Sequence, residues 1–286
     1  MYDFANSSYS AVIAAVVFPV FFVKHIAPTH EVGDIWWGRA VALSMLLVAS
    51  TSPFAGGIAD LSGYRKRFFI FYTLMSVLAI TGLSFSEGLG FFWVVCLFII
   101  ANFFFEGGVV FYNAFLPEVA PKEKIGRVSG WGFGLGYLGS ALSLLISIYL
   151  VKIGYYTLAF LSVGIFFFVF SLPCFFFLKE TQGGFTLKEA ALKGWTKIIH
   201  GLASAFRKRD FRLFLISYFF FRDGVNTIIA FSSIFAANTL GFSYEKLLYL
   251  YLLIQLTAMA GAFLFSWPTD QWGPKRVLVL CLLVWS

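Results

Sequence analysis

Eight runs of roughly twenty apolar residues, parted by short polar joints, decide what this chain can fold into. They cover approximately Ser7–Ile26, Ile35–Phe54, Phe68–Phe85, Phe91–Leu116, Val128–Val151, Tyr156–Leu178, Leu213–Asn238 and Leu247–Trp267. A helix needs about 20 such residues to cross a bilayer core of about 30 Å, so each run is a candidate span. The chain is 60% hydrophobic and 12% charged, against roughly 45–50% and 25% in soluble proteins. One soluble core of 286 residues cannot hide that much apolar surface. A soluble enzyme, a disordered tail and a nucleic-acid binder are excluded, and an all-α integral membrane protein is left. A ninth run starts at Val277 and reaches Ser286 after ten residues, half a membrane at about 1.5 Å each. The expectation is a fragment, about eight complete spans and part of a ninth, with the natural protein longer at both ends.

Lysine and arginine orient the spans. With the N-terminus in the cytoplasm, the inner joints hold Arg65, Lys66, Arg67, Lys122, Lys124, Arg127, Lys275, Arg276 and the basic residues of 179–212. These are sixteen of the 21 Lys and Arg. Lys24, Arg39, Lys152 and Lys246 lie toward the outer ends, and Arg222 lies inside a span. The bias places the N-terminus in the cytoplasm and accounts for the net charge of +7 without nucleic acid. The long joint divides the chain into a six-helix half (1–178), a cytoplasmic linker (179–212) and a truncated second half (213–286). Within the linker Leu187, Ala191, Trp195, Ile198, Leu202 and Phe206 recur at helical spacing, with Lys188, Lys193 and Lys197 largely opposite. Thr186 and Glu189 have the spacing of a capping box, so an amphipathic helix on the inner leaflet is expected. Trp36, Trp37 and Trp93 read as interfacial anchors. Cys96, Cys174 and Cys281 sit in apolar runs with no loop partner, so no disulfide framework is expected, nor is a cleavable signal peptide.

Two patterns recur across the linker. Gly56-x-x-x-Asp60-x-x-Gly63-x-Arg65-Lys66 follows the second span, and Asp270-x-x-Gly273-x-Lys275-Arg276 follows the eighth, 210 residues on. Asp3-x-x-Asn6-Ser7 and Asp223-x-x-Asn226-Thr227 form a second pair 220 residues apart. Equivalent placement in a six-plus-six scheme argues for a duplicated unit. The Gly-x-x-x-Asp-x-x-Gly-x-basic-basic joint resembles the loop signature of the major facilitator superfamily. Tyr2-Asp3-Phe4-Ala5-Asn6-Ser7, the segment Val110–Glu118, Arg127-Val128-Ser129-Gly130 with Gly136-Tyr137-Leu138-Gly139, and Asp223–Thr227 look more specifically like one branch of it. That branch holds the autophagy-related vacuolar amino-acid effluxers and their bacterial relatives. The second copy departs from the signature at Ser266, where the first has Gly56, and a looser second joint is expected there.

Ionisable groups inside a span cost roughly 2.5–3.5 kcal/mol on insertion scales and need a reason to be there. Asn102, Glu106 and Asn113 share one face of the fourth span, as a polar cavity wall on which Glu106 could exchange a proton or as a packing contact. The fold that the resemblance implies puts the first and seventh helices beside the central cavity, so Asp3, Asn6, Asp223 and Asn226 are read as substrate or ion contacts. Gly132-x-x-x-Gly136 permits close approach of another helix. The joints carry candidate gating residues: Gly56, Asp60, Gly63, Arg65, Lys66, Arg127, Asp270, Gly273 and Lys275. The pseudo-twofold relation of the fold sends Asp270 to the start of span five, near Gly126 and Arg127, where unpaired N–H groups attract a carboxylate. Asp60 should face the start of span eleven.

His25, His30 and His200 form no ligand cluster, and no phosphate-cradling Gly-x-x-x-x-Gly-Lys-Ser/Thr loop occurs. No metal, cofactor or catalytic residue is expected. The reading is a secondary transporter working by alternating access between two rocking halves. The resemblance implies export of an amino acid or similar small solute, possibly linked to protons. A transport-inactive scaffold, a membrane enzyme, and a lipid or drug-like substrate are the alternatives. A monomer is expected, in the inner membrane of a bacterium or the vacuolar membrane of a fungus.

Overall fold

The structure, a computed structural model, describes residues 1–180 and 183–285, with the backbone alone at 194–200, 202, 205, 230, 244 and 285. The long helices in chain order are α1 (Tyr2–Ile26), α2 (His30–Ser62), α3 (Arg65–Leu83), α4 (Phe91–Asn113), α5 (Ile125–Lys152) and α6 (Tyr156–Phe177). They are followed by α7 (Leu187–Arg207), α8 (Arg209–Asn238), α9 (Tyr244–Trp272) and α10 (Pro274–Trp285). There is no strand among the described residues. Among the described residues seven of these helices, α1–α6 and α9, are long and apolar enough to cross a membrane, and counting the two arms of α8, bent by 42°, as one span gives an eighth.

The helices overrun the apolar runs because caps set their ends. α2 extends well beyond Ile35–Phe54. It starts where the Thr29 hydroxyl accepts the Val32 N–H at 3.3 Å, and stops at Gly63, whose φ of +76° is left-handed. α1 has wide π turns at Tyr9–Val16 and Phe22–Ile26 on either side of Pro19. Pro19 offers no N–H to the Ala15 carbonyl and its ring crowds that oxygen, which loosens the turn before it.

α1 is the axis of the bundle, buried from Val16 to Val23, with α5, α6 and α8 packed around it. Phe18 meets Phe160 edge-on at 5.2 Å and stacks on Phe98 at 6.0 Å. Trp37 joins this core: it is 1% exposed, 4.4 Å from Phe98, and is not an interfacial anchor. α2 turns this tryptophan toward α4, whereas Trp93 is 65% exposed. The periphery is apolar, with Phe176, Phe177, Leu78 and Leu46 all largely exposed. A soluble monomer rarely shows such continuous apolar surface; lipid chains cover it.

α7 carries the expected capping box. The Thr186 N–H donates to Glu189 Oε2 at 3.0 Å, and the Glu189 N–H donates back to the Thr186 hydroxyl at 3.4 Å. The side chains of Trp195, Lys197, Ile198, His200 and Leu202 lie outside the described residues. α7 packs against α2, and on it Ala190 is fully buried whereas Ala191 and Leu187 are exposed. A methyl group lets two helix backbones approach where a leucine would hold them apart.

Candidate functional site

Each Asp-x-x-Gly joint turns on its glycine. Gly63 has φ +76° and ψ 6°, Gly273 has φ +85° and ψ 151°, so neither position suits an L side chain. Gly273 differs in ψ because Pro274 follows it and crowds the helical region. The turn at Gly63 lets Arg65, the first residue of α3, fold back on the end of α2. Its Nε and Nη2 donate to Asp60 Oδ1 at 3.0 and 2.8 Å, and its Nη1 to the Ala114 carbonyl at 3.3 Å and to Glu118. The guanidinium lies 5.6 Å from the Phe115 ring centroid. Arg65 therefore fastens α2 to the turn after α4, and Asp60 is engaged inside its own joint. Gly56 has open space around it, Lys66 is half-buried and Lys275 is exposed.

Asp270 reaches across to the start of α5. Its Oδ1 accepts the Gly126 N–H at 2.8 Å, its Oδ2 accepts the Arg127 N–H at 3.1 Å, and the Arg127 Nε stands 3.9 Å away. The carboxylate is 9% exposed. A helix N-terminus leaves its first N–H groups unpaired and carries about half a positive charge, so an anion is stabilised there. Ser266 does not loosen this joint. It is 5% exposed and packs on Gly130, where a β-carbon would lie 2.5 Å from the Ser266 β-carbon.

The glycines of α5 form two stripes. Gly126, Gly130 and Gly134 face α9 at Asp270, Ser266 and Phe263; Gly132, Gly136 and Gly139 face α1 at Asp3, Ser7 and Phe4. A β-carbon on Gly139 would stand 2.1 Å from the Phe4 carbonyl oxygen, so the backbones touch there.

Inside the bundle, the Tyr112 hydroxyl donates to Asp3 Oδ2 at 2.6 Å, and the Tyr2 hydroxyl shares a 3.1 Å hydrogen bond with Thr73. Asn6 is nearly buried beside them. Asn102 leaves the expected cavity wall: it accepts from the Tyr9 hydroxyl at 3.1 Å and donates to the Ser44 hydroxyl at 2.8 Å, both of them packing contacts. Asn113 is exposed at the end of α4. Glu106 is half-buried on α4. Arg222, Asp223 and Asn226 line an open cleft of about 560 Å³ walled by Leu215, Tyr218 and Phe219. The structure thus brings Asp3 to Tyr112 and Asp270 to Gly126 and Arg127, and leaves Asp223 exposed.

The family described as "Vacuole effluxer Atg22 like" matches residues 39–126 and 120–286. The chain belongs to this family. Over its whole length it is 27% identical to 70% of an uncharacterized MFS-type transporter, YxiO, of Bacillus subtilis (strain 168). Autophagy-related protein 22 of Coccidioides immitis (strain RS) is 22% identical over 86% of the chain and 52% of its own length. That of Yarrowia lipolytica is 30% identical over 48% of the chain. No solved structure matches. The chain is a multi-pass membrane transporter of the major facilitator type. The Atg22-like segments noted in the sequence meet in space: Tyr2 and Asp3 touch Tyr112, and Asp3 also sits against Gly132 and Gly136 of α5. Reasoning from sequence passed over Tyr112, Glu118 and Arg222 as site residues. Tyr112 and Glu118 stand inside a family-like segment, and Arg222 is the one basic residue placed within a span, signals that could have singled them out.

Proposed function

We propose that this Atg22-like transporter exports an amino acid or similar small solute by alternating access, with its N-terminus cytoplasmic. In this reading residues 1–178 and 213–286 belong to two rocking halves, joined by the linker 179–212. The Asp270 tie to Gly126 and Arg127 carries the proposal: it joins the second half to the first on the face of the basic joints, at a helix N-terminus that it must leave when that face opens. Arg65 with Asp60 and Glu118 stiffens the corresponding joint of the first half. Asp3, Asn6, Glu106, Asp223 and Asn226 supply the polar groups of the translocation path, and Glu106 is the group suited to exchange a proton. Names of the relatives favour transport over enzymatic chemistry.

The test is flux of labelled amino acids in proteoliposomes, with and without a pH gradient, for wild type and Glu106→Gln. Uptake driven by the gradient in wild type and lost in the variant supports proton-linked transport. Equal rates for both proteins from about pH 5 to 8, where a buried carboxylate can titrate, would make Glu106 structural.

A further inference from the structure

A cleft of about 260 Å³ opens between the first joint and the linker. Tyr64, Arg67, Phe68 and Phe71 line one side of it, and Leu187 at the start of α7 lines the other. Three contacts fix the linker there. A β-carbon on Gly183 would stand 2.0 Å from the Ser62 carbonyl carbon, so the linker backbone lies directly on the Ser62–Gly63 turn. Arg67 Nε faces Glu180 Oε2 at 3.8 Å. The capping box holds Leu187 in the first turn of α7, which packs on α2.

The lining divides into a charged end and an apolar end. The exposed guanidinium of Arg67 lies 4.0 Å from the centre of the Tyr64 ring. Stacking of this kind occupies a face of the guanidinium and leaves the N–H groups in its plane. At 3.8 Å the Glu180 contact is an ion pair without a hydrogen bond, and Nη1 and Nη2 donate to nothing among the described residues. One helical turn further on, Phe71 is exposed, as is Leu187 across the cleft. A soluble anion would use the arginine and leave both apolar side chains uncovered. A plain hydrocarbon would cover them and leave the fork without a partner. An amphiphile with an anionic head satisfies both ends, and the linker attracts one: residues 179–212 hold eight Lys and Arg against three Asp and Glu.

We propose that this cleft binds one anionic phospholipid, with its phosphate on the Arg67 fork and an acyl chain over Phe68, Phe71 and Leu187. The planar fork bonds two phosphate oxygens at once. The lipid touches α3 and the linker together, so it holds the linker to the first joint.

The experiment is native mass spectrometry of the purified protein, given equal amounts of phosphatidylglycerol and phosphatidylcholine with the same acyl chains. Wild type should retain one phosphatidylglycerol about fivefold in preference to phosphatidylcholine, the worth of one basic group beside an anionic headgroup. Arg67→Gln should abolish the preference. Arg67→Lys, which keeps the charge but not the fork, should keep part of it. Lys208→Gln, exposed on the same linker outside the cleft, should keep it in full. Excess glycerol 3-phosphate should not displace the lipid. Hydrogen exchange at residues 183–190 should slow when phosphatidylglycerol is added to wild type and stay unchanged in Arg67→Gln, which reads the linker directly. A preference kept by Arg67→Gln, or lost equally in Lys208→Gln, would mean that linker charge at large attracts the lipid, and the site would fall. Displacement by glycerol 3-phosphate would make it a site for free phosphate and overturn the lipid assignment.

Discussion

Replacing Asp270 by Asn should open the face that carries the basic joints. The carboxylate is 9% exposed and bonds two N–H groups at 2.8 and 3.1 Å. Asn keeps the shape and one acceptor oxygen, but turns an NH2 group toward one of the two backbone donors and removes the charge from the helix terminus. A partly buried anion at such a terminus is worth up to about 2 kcal/mol. Losing it moves the balance between closed and open forms roughly 30-fold toward open. The assay is the labelling rate of a cysteine placed at Ser266, 5% exposed against Gly130, in a background where Cys96, Cys174 and Cys281 are serine. A membrane-impermeant maleimide applied from that face should react at least tenfold faster in the Asp270→Asn protein, because only the open form exposes the site. Unchanged labelling, with the variant folded and inserted, would refute the argument that this contact holds the face closed.

Gly139→Ala should lower Tm by several degrees in detergent, because the added carbon meets the Phe4 carbonyl oxygen at 2.1 Å and overpacking of this kind costs about 1–3 kcal/mol. Gly201→Ala, in open space on α7, is the control and should leave Tm unchanged or slightly higher. At the opposite end of the α5–α9 pair, the Lys152 Nζ lies 2.7 Å from Glu245 Oε1 and 3.0 Å from the Tyr249 hydroxyl. Lys152→Glu should leave Tm within error, since the pair is exposed, but speed labelling from that second face; adding Glu245→Lys should restore the wild-type rate. Glu189 is held below the ordinary carboxylate range by the N–H and hydroxyl of Thr186. A depressed value in the folded state means that the cap contributes above the unfolded value and is lost as pH falls through the folded one. Hydrogen exchange at residues 187–193, corrected for intrinsic rates, should therefore quicken below about pH 4, and Glu189→Gln should remove that dependence.

Reading the chain alone reaches as far as periodicity, composition and repeats reach. Eight apolar runs of span length made the membrane architecture legible, and the Asp-x-x-Gly repeat placed Asp270 beside Gly126 and Arg127 because duplicated units relate distant residues by symmetry. Glycines at Gly132 and Gly136 announced a close helix contact, since nothing but backbone stands at those positions. Periodicity names the face of one helix, not the helix across from it. That choice rests on packing between residues far apart in sequence, and only the tertiary structure made it. It gave one glycine stripe of α5 to α9 and the other to α1, and it set Tyr112 on Asp3 and Glu118 on Arg65. It also drew Asn102 away from its stripe toward Tyr9 and Ser44, because a buried amide goes to whichever hydroxyls lie within reach. Trp37 sank into the core for the same kind of reason, as rotation of α2 set its ring on Phe98 while the chain alone showed only a tryptophan near the end of a span.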